Sequence, residues 1–84
     1  MEEQTTNIFS TIDGILKDAG TDKTKLLTAS IWLKNVDEDF PKFNTLWQDW
    51  IDINQKPVRA LVEANLAFPH LLVEVQVTAA VDEE

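Results

Sequence analysis

The chain has 84 residues, which limits it to one domain (1–84) with a core only just large enough to be stable alone, so oligomerisation is expected. Its 15 acidic and 7 basic residues give a net charge of −8, which repels phosphate backbones and argues against a nucleic-acid partner. With no cysteine and one histidine, the sequence predicts no disulfide, no thiol nucleophile and no metal site, and we expect no cofactor.

The amino terminus has neither the basic start nor the apolar run of a secretory signal. No segment approaches the roughly 20 apolar residues that a transmembrane helix needs. We therefore expect a cytoplasmic protein with no membrane partner.

A first helix is predicted from about Glu3 to Ala19. Its apolar residues recur with the 3.6-residue helical period. They are Ile8, Ile12, Ile15, Leu16 and Ala19. Gly20 then stands where a helix C-terminus favours a left-handed residue.

A strand is predicted next, from Lys25 to Lys34. Its apolar residues, which should meet the helices, are Leu27, Ala29, Ile31 and Leu33. The alternation of side chains in a strand then places Trp32 on the other, more polar face. An aromatic ring there either lines a pocket or fills a subunit interface, and interface packing is the favoured interpretation.

A second helix is predicted from about Pro41 to Ile51, with Pro41 in its first turn and Asp37 or Asp39 as its N-cap. It carries a wide apolar stripe. The stripe comprises Phe43, Leu46, Trp47, Trp50 and Ile51. Core packing is a far better interpretation of these tryptophans than a cofactor site.

Two further strands are predicted, Val58 to Leu66 and Leu71 to Ala80, as neighbours joined by a short turn. We expect their apolar faces to meet the helices. Arg59 and Glu74 then share the open polar face, where function is expected. The alternative is that the two side chains form a structural ion pair.

The order helix, strand, helix, strand, strand predicts an α+β fold of two layers, with both helices on one face of a small mixed sheet. The open face of that sheet carries Trp32, Leu61 and Leu72. Such a face favours burial against other copies of the chain.

Several positions together are similar to a known family. They are Pro57, Arg59, Leu66, Pro69, Val73-Glu74-Val75 and Ala79 near the carboxyl end, with Ala29 to Lys34 (ASIWLK), Asn44, Trp47 and Trp50 upstream. This pattern resembles the YjgF family, also called the Rid (reactive intermediate deaminase) family, and within it the YoaB-like branch.

The resemblance implies a homotrimer with a chorismate-mutase-like (YjgF-like) fold and ligand clefts between subunits. It implies hydrolysis of enamines or imines such as 2-aminoacrylate to 2-keto acids and ammonia. Arg59 would bind the substrate carboxylate through a two-pronged hydrogen-bonded pair, and Glu74 would position or activate water. Asn44 would hold polar groups near the cleft. Trp32, placed on the open face by the alternation of side chains, is added as a candidate substrate-binding residue.

Two features depart from the family pattern. Leu61 stands where several active members have a cysteine, and the chain begins at the helix where members begin with additional strands, so an N-terminally truncated fold is expected. The alternative function is a non-catalytic protein of the same family that binds small carboxylates or serves in assembly. RNA cleavage, also associated with the family, fits an acidic chain poorly.

Overall fold

The computed structural model describes residues 1–81 as two helices, three strands and one short 3-10 turn. The elements are α1 (Glu2–Asp18), the 3-10 turn (Lys23–Lys25), β1 (Leu26–Leu33), α2 (Val36–Trp50), β2 (Val58–Glu63) and β3 (Val73–Ala79). The predicted order and the two-layer α+β arrangement are confirmed. Gly20 has the expected positive φ, 83°, and follows Ala19, the C-cap of α1.

The sheet has the strand order β2-β1-β3. β1 is parallel to β2 and antiparallel to β3. The prediction that the last two strands are neighbours is therefore wrong. The physical reason is α2, which crosses over one face and returns the chain as a parallel strand beside β1, so β3 pairs with the other side of β1.

Pairing with β1 also decides which side chains of β2 face the helices. Ala29 and Ile31 of β1 are buried, and their partners on β2 are Arg59 and Leu61. Paired residues lie on the same face, so Arg59 and Leu61 face the helices.

The alternate residues of β2, Val58 and Val62, face away from the helices. Val58 is 75% exposed and Val62 is 51% exposed. The predicted orientation of this strand is therefore wrong. Apolar residues occur on both faces of β2, so the alternation of side chains does not show which face is buried.

A β-bulge interrupts β1 opposite β3. Leu26 pairs with Ala79 and Thr28 with Thr78, which leaves Leu27 as the extra residue. Leu26 is therefore buried and Leu27 is 52% exposed, contrary to the prediction for Leu27. The inward positions of Ala29, Ile31 and Leu33 are confirmed.

Aromatic rings form the centre of the core between the helices. Phe9 stacks on Trp50 with ring centroids 4.4 Å apart and lies 6.1 Å from Trp47. The indole N–H of Trp50 donates to the carboxylate of Asp13 at 3.1 Å. The prediction that these tryptophans belong to the core is confirmed, although Ile15, which was predicted in the same stripe of α1, is 59% exposed.

α2 begins at Val36, more than a turn before the predicted start, and Pro41 lies inside it. Neither Asp37 nor Asp39 is the N-cap, because both lie within the first turn of the helix. Instead, the Val36 N–H donates to Oε1 of Glu63 at 3.0 Å. A side chain at the end of β2 thus stabilises the start of the helix.

No helix within residues 1–81 has the length and apolar character required to span a bilayer.

Candidate functional site

Arg59, the only arginine in the sequence, lies beside three side chains of α2. Its Nη1 donates to Oδ1 of Asn44 at 2.9 Å. Its guanidinium carbon lies 5.5 Å from the ring centroid of Trp47 and 6.0 Å from that of Phe40. One hydrogen bond and two aromatic faces therefore restrict the orientation of a half-buried guanidinium.

A cleft of about 190 Å³ opens beside this guanidinium. It is lined by Asn44, Trp47, Gln48, Ile51, Lys56, Pro57 and Arg59. The lining includes an ammonium and a guanidinium but no carboxylate, although the chain as a whole is strongly acidic. Two amide side chains add neutral hydrogen-bonding groups. A small anion fits this chemistry, and a carboxylate could pair with the guanidinium fork.

Glu74 lies on the opposite face of the sheet. It pairs with Trp32 across β1 and β3, whereas Arg59 pairs with Ala29 across β1 and β2. Trp32 and Ala29 are an odd number of residues apart, so their side chains project to opposite faces. The prediction that Arg59 and Glu74 share a face is wrong, and the sheet also separates them too far for the alternative of an ion pair within one copy.

The predicted site residues therefore form two groups. Arg59 and Asn44 meet between the sheet and α2. Trp32 and Glu74 are cross-strand partners on the open face, where Trp32 is half-buried and Glu74 is exposed. The placement of Trp32 on the open face is as predicted.

Sequence reasoning missed three side chains around Arg59, namely Phe40, Gln48 and Lys56. A usable signal existed for two of them. Phe40, Asn44 and Gln48 are spaced four residues apart, which places them along one face of α2. Once Asn44 was selected, its neighbours at that spacing could have been selected as well. Lys56 carried no comparable signal.

Within residues 1–81, no group of three or more histidine or acidic side chains is arranged to hold a metal ion.

The sequence profile of the family described as endoribonuclease L-PSP matches residues 1–81. The chain belongs to the endoribonuclease L-PSP family. Members similar to it include a RutC family protein of Haemophilus ducreyi, 38% identical over 98% of this chain and 69% of the relative. The RutC family protein YoaB of Escherichia coli is also 38% identical, over 94% of this chain and 68% of YoaB. The predicted family and its YoaB-like branch are confirmed.

A solved L-PSP family structure gives the same result for the fold. A YjgF family protein from Neisseria meningitidis matches with a TM-score of 0.92 and 36% identity, covering 96% of this chain and 67% of that protein. The YjgF-like fold is thereby confirmed. The chain spans about two thirds of the length of these L-PSP family relatives.

Proposed function

We propose that this protein binds the carboxylate of a reactive 2-imino or 2-enamino acid at Arg59 and promotes its hydrolysis to a 2-keto acid and ammonia in the cytoplasm. The observation that carries the proposal is the guanidinium held by Asn44, Trp47 and Phe40 beside a cleft without carboxylates. Because its orientation is already restricted, little further ordering is needed when a carboxylate binds.

An enamine first becomes the imine, as C3 takes up a proton and nitrogen loses one. Water then adds to the carbon of the C=N bond, so that a C–O bond forms, the π electrons move to nitrogen and nitrogen takes up a proton. The resulting carbinolamine collapses as its hydroxyl loses a proton, the C=O bond of the 2-keto acid forms and the C–N bond breaks, and the protonated nitrogen leaves as ammonia. A carboxylate that accepts a proton from the water would promote the addition of water. We assign that role to Glu74.

The geometry of the sheet requires that Glu74 acts from a neighbouring copy, because Arg59 and Glu74 of one copy lie on opposite faces. A site between copies of a homotrimer would satisfy this requirement. The open face supports such an assembly, since the half-buried Trp32 and the exposed Val58 and Val62 give it apolar surface.

Hydrolysis of 2-iminopropionate generated in the assay tests the proposal. The protein should accelerate loss of the imine over buffer, and both Arg59→Ala and Arg59→Lys should remove that acceleration because lysine lacks the two-pronged fork. Lys42→Ala is the matched control. Lys42 is a cation on α2, but it contacts Glu2 at 3.5 Å and does not line the cleft. A wild-type rate equal to that of buffer would refute the proposal.

A second candidate is carboxylate binding without turnover. It is favoured by the absence of a carboxylate from the lining of the Arg59 cleft within residues 1–81. Pyruvate should then raise the melting temperature of the wild type but not of Arg59→Ala, while 2-iminopropionate is hydrolysed no faster than in buffer.

A further inference from the structure

The Arg59 cleft is lined by two basic residues and, within residues 1–81, by no acidic one, although the chain has 7 basic and 15 acidic residues. The two basic residues are Arg59 and Lys56. An anion is repelled by the net charge of −8 and attracted locally by these two side chains. The proposed function uses only the guanidinium. The ammonium of Lys56 is therefore a second cation in the cleft that the hydrolysis itself does not require.

The side chain of Lys56 is available to a ligand. It is exposed and forms no ion pair or hydrogen bond within residues 1–81. Pro57 follows it directly, and a residue before proline favours an extended backbone. Three extended residues span at most about 11 Å, so the Cα atoms of Lys56 and Arg59 lie no further apart than that. The ammonium and the guanidinium thus reach one cleft from neighbouring positions of the chain.

Neutral side chains complete the lining of the cleft. Trp47, Ile51 and Pro57 supply apolar surface, and the amides of Asn44 and Gln48 add hydrogen-bonding groups without charge. Two cations beside apolar surface suit two carboxylates joined by methylene carbons, whereas a single carboxylate would leave one cation unpaired. The volume of about 190 Å³ is roughly six times the share of one water molecule in the liquid, which limits the ligand to a short carbon chain.

We propose that this cleft selects a dicarboxylate, namely a 2-imino or 2-enamino acid with a second carboxylate at the far end of a short carbon chain. Arg59 binds the carboxylate beside the reacting carbon, because Asn44 orients its guanidinium and the fork matches a carboxylate. Lys56 binds the distal carboxylate, because an ammonium on a flexible stem tolerates chains of different length. The identity of the reacting end rests on the proposed function. The distal carboxylate takes no part in the hydrolysis.

Two keto acids of equal chain length isolate the contribution of the distal carboxylate. 2-Oxoglutarate and 2-oxopentanoate share the 2-keto acid group, and a methyl group in the second replaces the distal carboxylate of the first. Isothermal titration at low ionic strength should give 2-oxoglutarate a dissociation constant at least about threefold lower, as expected of one solvent-exposed ion pair. The difference should shrink at high ionic strength, because salt screens an exposed ion pair.

Substitutions of Lys56 test which side chain causes the preference. Lys56→Met should bring the ratio of the two dissociation constants to about one, and Lys56→Glu should reverse it because like charges repel. Lys42→Met is the matched control, since it removes the same charge from an exposed residue that does not line the cleft. It should keep the wild-type ratio. Lys56 lies in the exposed segment between α2 and β2, so its variants should fold as the wild type does.

Turnover of the corresponding imines tests the substrate class. The wild type should have a higher kcat/KM for 2-iminoglutarate than for 2-iminopentanoate, by a factor similar to the ratio of the dissociation constants. Lys56→Met should remove the difference, because the distal carboxylate then has no cation to pair with.

The outcomes separate this proposal from the proposed function. Equal affinities of the wild type for 2-oxoglutarate and 2-oxopentanoate would overturn the dicarboxylate site, while loss of both affinities in Arg59→Ala would still support carboxylate binding at Arg59. A preference for 2-oxoglutarate that persists in Lys56→Met would also overturn the dicarboxylate site. A preference that depends on Lys56, without hydrolysis of either imine, would support the dicarboxylate site and refute turnover. Binding of neither keto acid would overturn both.

Discussion

The two faces of the sheet differ in how many contacts a single copy supplies to the candidate site residues on each face. On the helix side, Arg59 has a hydrogen-bonding partner, two aromatic neighbours and a cleft within one chain. On the open face, Trp32 and Glu74 are paired across strands but have exposed valines beside them. The fold of one copy thus orients the guanidinium of Arg59, whereas the role proposed for Glu74 depends on assembly.

The largest expected effect is a difference in the free energy of unfolding between substitutions on the two faces. Trp47→Ala should lower the free energy of unfolding by about 3–5 kcal/mol, because it removes a buried ring from the aromatic core. Trp47 is 4% exposed and contacts Phe9, Phe43 and Trp50. Trp32→Ala should cost roughly 1 kcal/mol or less at concentrations where the chain is monomeric, as expected of a surface position.

Urea unfolding at low protein concentration measures both variants. Trp47→Phe serves where the alanine variant fails to fold, and it should retain most of the stability. Similar losses for Trp47→Ala and Trp32→Ala would contradict the distinction between the two faces.

The next effect concerns the ligand. Asn44→Asp should weaken binding of pyruvate by about tenfold or more, because the new carboxylate pairs with the Arg59 guanidinium and competes with the ligand. The fold should be retained, since the hydrogen bond of 2.9 Å from Arg59 keeps its acceptor.

Isothermal titration of both proteins with pyruvate tests this expectation, with Asp49→Asn as a control on an exposed position of the same helix. An unchanged affinity in Asn44→Asp would show that the ligand does not bind at Arg59.

The smallest effect concerns the cap of α2. Glu63→Ala should lower the free energy of unfolding by about 1 kcal/mol, because the Val36 N–H loses its acceptor and the helix N-terminus loses a nearby negative charge. Glu63→Gln keeps an acceptor and should cost about half as much. Glu74→Ala, on the other face, should change stability little in a monomer. Chemical denaturation compares the three variants, and equal losses in Glu63→Ala and Glu74→Ala would be inconsistent with the cap.

Much of the site was predictable once the family pattern was identified. Arg59 and Asn44 were selected from the sequence, and they meet in the structure. Their relation to Glu74 was not predictable, because it depends on which strand lies between β2 and β3. Local alternation describes each strand separately, whereas the shared face of two residues depends on the strand order and the register.

The sequence by itself determined the order of the elements, the place of Trp47 and Trp50 in the core and the end of α1 just before Gly20, because helical periodicity and a left-handed glycine act over a few neighbouring residues. Only the tertiary structure decided that Arg59 faces α2, that Glu63 caps that helix and that Glu74 lies on the other side. The physical reason is that β2 has apolar side chains in both phases, Leu61 in one and Val58 and Val62 in the other. Pairing with β1 therefore selected its buried face.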